Sequence, residues 1–278
     1  MGNLDKNVIR VKEFDSLDLQ RVQRETIELA TTKTDELLEQ YKKLESSHNG
    51  RYVNSDLMKM VFDVYAESPE NRGKYNLAVT NSAACLTNEL FTRTIQNSSN
   101  NRCVFVCGPY GAGKSYFIQS LFLGGYFPEN TIVYEGSITP PAFGQKVELA
   151  MKNSSTPLIV LLNPTLELSM QNIQKRKEET GRGVIKSEVV EKFADMHSNI
   201  LALFDYIRSK FPQSKENVYP LPFQIYNKSR NVEVDDLSIS YNLDDLQHGT
   251  REEISQKYDQ IIRQINTQQS SGNSEICL

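Results

Sequence analysis

The stretch RCVFVCGPYGAGKS, Arg102 to Ser115, decides how this chain is read. Its first half, Arg102 to Cys107, is a continuous apolar run of β-branched, aromatic and thiol side chains, the composition of a strand covered on both faces of a parallel sheet. Its second half spells Gly-x-x-x-x-Gly-Lys-Ser, and a buried strand before it with a helix after it is the context that pattern requires. Gly108, Gly111 and Gly113 let the backbone fold around an anion with its amide hydrogens inward, at the positive end of the following helix. Lys114 then reaches the outer phosphates and Ser115 offers a hydroxyl to Mg²⁺. The segment Gly108, Pro109, Tyr110, Gly111, Ala112, Gly113, Lys114, Ser115 and Tyr116 is therefore the expected ATP site.

Downstream, Thr131 to Glu135 (TIVYE) and Pro157 to Asn163 (PLIVLLN) repeat the buried-strand signal around a helical stretch from Pro141 to Lys152. That alternation predicts an α/β fold with a mostly parallel sheet of about five strands. Val218 to Tyr226 reads as a further strand, placed at an edge because of its prolines. A single amphipathic helix is expected over 187–210, and a last one from Thr250 to Ile265, opened by a Thr250–Glu253 capping box. The tail QQSSGNSE reads as disordered. Upstream, Ser16 to Leu44 reads as one long charged helix and Arg51 to Asn54 as a short strand. A helix follows from Asp56 through Tyr65, then a break at SPENRG and a second helix from about Leu77 to Ile95.

Composition sets the limits. The chain has 278 residues, 38% hydrophobic and 24% charged, which suits a globular protein. Its formal net charge of -4 gives no bulk positive field, so neither nucleic acid nor an anionic membrane is expected as a partner. Apolar runs such as Leu158 to Leu162 fall far short of the ~20 residues that cross a bilayer. The opening MGNLDKNVIRVKEFD lacks the apolar core of a signal peptide, and a cytoplasmic location is expected. Cys103 and Cys107 lie inside a strand, and His48, His197 and His248 are scattered, so no zinc site is expected.

The glycine loop serves many chemistries, and the rest of the chain narrows them. The nearest match to a guanine reader, Asn227-Lys228-Ser229-Arg230, lacks its carboxylate, and no strand ends in the Asp-Glu pair of a motor ATPase. After the third strand comes QNIQKRKEETGR, Gln171 to Arg182, with Lys175, Arg176, Lys177 and Arg182. Such a segment reads as a lid closing over a transferring phosphate, or as a solvated helix.

Together these strings resemble the zeta toxin family of P-loop kinases. GPYGAGKS is the generic part; Glu135-Gly136-Ser137 looks like that family's Glu-Gly-Thr, Arg176 and Arg182 look like its two lid arginines, and Asn54-Ser55-Asp56 looks like its Asn-x-Asp strand end. The resemblance covers residues 50 to 230 and implies phosphorylation of a hydroxyl on a sugar nucleotide such as UDP-N-acetylglucosamine. It implies Asp56 as general base, Lys114, Arg176 and Arg182 as charge stabilisers, and Glu135 with Ser137 as acceptor ligands. A bacterial toxin or effector role, with an antitoxin or inhibitor as partner, comes with it. In the family, however, the base follows the P-loop helix, and the stretch 116–130 is too short to hold that unit. A rearranged fold is expected, with the base-bearing strand placed ahead of the P-loop strand. On spacing alone Asp56 reads instead as a helix N-cap.

The expected organisation is a helical extension over 1–48, a three-layer P-loop kinase domain over 49–230, and a C-terminal helical extension over 231–278. Two other readings stay open: a kinase acting on another nucleotide or an antibiotic hydroxyl, and a non-catalytic ATP-binding interaction module.

Overall fold

A computed structural model describes residues 3–97, 102–153, 155–181, 183–213 and 220–272. At its centre are Arg102–Cys107 (β2), Thr131–Gly136 (β3), Thr156–Pro164 (β4) and Phe223–Lys228 (β5), all parallel. Tyr52–Val53 (β1) adds a parallel pair outside β3, and Ser238–Ser240 (β6) an antiparallel one outside β5. The order is β1-β3-β2-β4-β5-β6, so the strand before the glycine loop lies in the middle.

Side chains alternate across this sheet with period two. Cys103, Phe105, Cys107, Ile159, Leu161 and Ile225 enter the larger core, whereas Val104, Val106, Val133, Val160 and Leu162 enter a second one with Phe117 and Ile118. Burial on both faces is why these strands read as unbroken apolar runs.

Two strand expectations need correction. Among the described residues the sheet has six strands rather than about five. The proline-bearing strand is not an edge, because β6 pairs outside it. Its prolines precede the strand proper, and Pro222 serves only as an acceptor, its carbonyl taking Ile159 N–H at 3.0 Å. No ladder position asks for the missing donor.

The long N-terminal helix is divided into Leu17–Thr32 (α1) and Thr34–Lys43 (α2) at Lys33, whose φ is -127°. At the break the Thr34 hydroxyl donates to Ala30 O (2.7 Å) and accepts from Leu4 N–H (2.9 Å). Val22, Ile27, Ala30, Leu37, Leu38 and Tyr41 from these helices are buried in the larger core, so residues 17–43 share that core with the sheet. Tyr41 reaches furthest: its phenol donates to Tyr52 O (2.7 Å) and accepts from Asn54 N–H (3.1 Å), which fixes the short β1 strand.

The segment after β1 is more broken than expected, with Ser55–Met58 (α3), a 3-10 turn at Lys59–Val61 and Asp63–Ala66 (α4). SPENRG is not a break but the start of Pro69–Asn97 (α5): Ser68 Oγ accepts from Asn71 N–H at 3.1 Å, and Pro69 occupies the first turn.

Beyond the glycine loop run Lys114–Leu123 (α6), Ala142–Lys152 (α7), Leu166–Thr180 (α8), Lys186–Ala194 (α9) and Met196–Lys210 (α10). The single helix expected over 187–210 is thus two, meeting at Asp195. Arg251–Gly272 (α11) carries the capping box, with Glu253 N–H to Thr250 Oγ1 at 3.2 Å and Thr250 N–H to Glu253 Oε2 at 2.7 Å. It continues through Gln268 to Gly272, the front of the tail read as disordered; the rest of that tail lies outside the described residues. A third cluster (Leu166, Met170, Ile173, Val189, Phe193, Ile254, Ile261) packs α11 against α8 and α9. Among the described residues no helix is long and apolar enough to cross a membrane.

Candidate active site

The site gathers where the parallel strands end, the edge at which α/β sheets expose their loops. From Cys107 the chain turns through Gly108 to Gly113, and α6 starts at Lys114. Gly111 has φ +73°, and a Cβ there would collide with the carbonyl of Ser169 on α8. Gly108 is similarly closed in, with Leu162 O 2.6 Å from where its Cβ would stand. Gly111→Ala should therefore destabilise the protein far more than Gly125→Ala. Both positions are left-handed, at a cost of about 1–3 kcal/mol for alanine, but nothing lies within 4 Å of the Gly125 site. Thermal denaturation of the two variants checks this, and equal losses would count against a tightly packed loop.

Lys114 is half-buried, and its ammonium donates to Gly108 O and Pro109 O, both at 3.0 Å. Burial pushes its pKa down, while the carboxylates of Glu135 and Asp56 oppose that shift. Ser115 Oγ donates to Glu135 Oε2 at 3.0 Å, and the phenol of Tyr52 donates to the same oxygen. Burial first, and then the Glu135 carboxylate, push the Tyr52 hydroxyl far above its ordinary range, so it stays a donor. Glu135, expected among the acceptor ligands, thus stands against the loop serine. Ser137 lies further along, in a narrow crevice with Gly108, Pro109, Lys192 and Asn199.

Asp56 stands at this same edge, one strand beyond Glu135. It does not cap the helix; Asn54 does, its Oδ1 accepting from Leu57 N–H at 2.6 Å. Asp56 instead pairs with Lys59 Nζ at 2.9 Å, and the buried Lys59 also donates to Asn76 Oδ1 on α5 at 2.8 Å. Arg176, half-buried on α8, acts electrostatically on Lys114 and Tyr110, as Asp56 does. The Tyr110 phenol is pushed up to about 12, mainly by burial and then by Glu188 and Asp56. Ala112 is buried, whereas Tyr116 is exposed, its hydroxyl 3.4 Å from Glu233 Oε1. Arg182 lies outside the described residues.

Sequence reasoning missed Tyr52, Lys59, Ser169, Asn172 and Lys228. Lys228 stood in plain view in the failed guanine-reader string, yet its position at the end of β5 brings its ammonium to Ala112 O at 3.3 Å. Beside it a cleft of about 350 Å³ opens between the ends of β4 and β5 and the C-terminal segment, lined by Asn163, Thr165, Ser229, His248 and Lys257 among others. No family model matches the chain, and no curated protein matches it.

Proposed function

We propose that this protein is an ATP-dependent kinase that phosphorylates a hydroxyl group of a small molecule. One observation carries the reading: Lys114, the Ser115–Glu135 pair, Asp56 and Arg176 come to one edge of the sheet from four separate elements. A purely structural glycine turn has no need of that company. The resemblance to zeta toxins makes a sugar nucleotide the first acceptor to try, with an antitoxin or inhibitor as the protein partner. The position of β1, parallel and outside β3, supports a rearranged version of that fold.

In this mechanism the loop amides and Lys114 hold the β- and γ-phosphates. Asp56 takes the proton of the acceptor hydroxyl as its oxygen bonds to the γ-phosphorus, and the bond to the bridging oxygen breaks to release ADP. Lys114 and Arg176 balance the charge on the transferring group, and Lys59 holds the Asp56 carboxylate in place. Mg²⁺ demands few protein oxygens when phosphate and water supply the others, and the Ser115 hydroxyl beside the Glu135 carboxylate fits that need. When bound, the ion neutralises charge on the β- and γ-oxygens. Glu135→Gln should then raise the magnesium concentration needed for half-maximal transfer by about tenfold, with ATP affinity in excess magnesium little changed.

Incubation with γ-labelled ATP, magnesium and a panel of sugar nucleotides, nucleosides and hydroxylated antibiotics tests the function. Label transferred to one acceptor class is the expected result. ATP binding without transfer to any acceptor would favour the non-catalytic module.

A further inference from the structure

Three consecutive carbonyls of the glycine loop are each taken by a side chain from the elements behind it. The Ser169 hydroxyl donates to Tyr110 O, Asn172 Nδ2 to Gly111 O at 2.8 Å, and Lys228 Nζ to Ala112 O at 3.3 Å. In a planar trans peptide the carbonyl and the next residue's N–H point opposite ways. Holding these carbonyls outward therefore aims the N–H groups of Gly111, Ala112 and Gly113 inward. Among the described residues only one of the three has an acceptor, the Ala112 N–H with Pro109 O at a long 3.4 Å.

From this arrangement we infer that Ser169, Asn172 and Lys228 are positioning residues that hold the loop open, in advance, for a polyphosphate chain. This rests on the kinase reading and adds to it which side chains prepare the site. Ser169, Asn172 and Arg176 recur at helical spacing along one face of α8. The helix that brings Arg176 is thus tied to the loop at two points, and it acts as a fixed wall rather than a swinging lid. Lys228 adds charge. It is 5% exposed, and among the described residues its ammonium has only the Ala112 carbonyl as a hydrogen-bond partner. A buried cation without a carboxylate favours an anion bound nearby. Its Nζ lies 3.1 Å from where a Gly113 Cβ would stand, at the first turn of α6.

The probe is inorganic triphosphate, which engages a phosphate loop and nothing that reads a nucleoside. Calorimetric affinities are measured for the full chain and for Asn172→Leu, Lys228→Met and Lys228→Arg, with thermal denaturation of each. Asn172→Leu and Lys228→Met should each weaken triphosphate about tenfold or more, since displaced donors lose an oriented anion steeply. Lys228→Arg, which keeps both charge and donor, should stay within about threefold, and all should unfold within a few degrees of the parent. Unchanged affinity in the first two variants overturns the inference while leaving the kinase reading intact. Losses that follow falling stability, and that Lys228→Arg does not restore, overturn it as well. If the parent chain itself binds no triphosphate, the kinase reading falls and this one with it.

Discussion

Lys114→Ala is expected to lower phosphoryl transfer by about two to three orders of magnitude while leaving a folded protein. The size follows from the task that the proposed kinase mechanism gives the lysine, because removing one oriented donor from developing transition-state charge costs about that much. Its stability cost is small for a specific reason. The ammonium's two hydrogen bonds go to Gly108 O and Pro109 O, within its own loop. At about 1 kcal/mol each, partly offset by relief of the desolvation that pushes its pKa down, they shift the unfolding midpoint by only a few degrees. Transfer of label from γ-labelled ATP and a thermal melt on the same sample check both halves. A variant that transfers phosphate at the parent rate would remove Lys114 from the mechanism.

Asp56, the base of the proposed mechanism, calls for a paired experiment, because the structure also pairs it with Lys59. Lys59 is 4% exposed and Asp56 is its carboxylate, so Asp56→Asn alone also removes a counter-ion from a buried cation. Asp56→Asn should therefore lose both activity and stability. Adding Lys59→Met should recover much of the stability without recovering the rate, which should stay about 10²–10⁴-fold down, as loss of a general base implies. Helix capping does not confuse the outcome, because Asn54 holds that position. If the double variant regains both stability and rate, Asp56 serves only Lys59, and Glu135 becomes the candidate base.

Both experiments concern residues that the sequence already singled out, yet their form depends on contacts it did not disclose. The strand, turn and helix around Gly108 to Ser115 were legible because they are local: apolar continuity, glycine spacing and helix onset are written in adjacent residues. The parallel character of the sheet was legible for the same reason, since strands buried on both faces must be apolar throughout. Helix breaks at Lys33 and Asp195 were not, because the apolar stripes continue across them while the backbone bends to follow the core. Six strands were hidden as five because Ser238–Ser240 carries little apolar signal and pairs at the edge.

By itself the sequence determined an α/β chain with a glycine-rich turn between a buried strand and a helix, and the residue types available there. Tertiary structure alone decided who meets whom. That Glu135 stands against Ser115, that Tyr52 joins them, and that α8 and Lys228 grip the loop all follow from strand order and from which helix face turns inward. Those contacts join residues up to 116 positions apart, as in the Lys228–Ala112 bond, and no local periodicity carries information across such a distance.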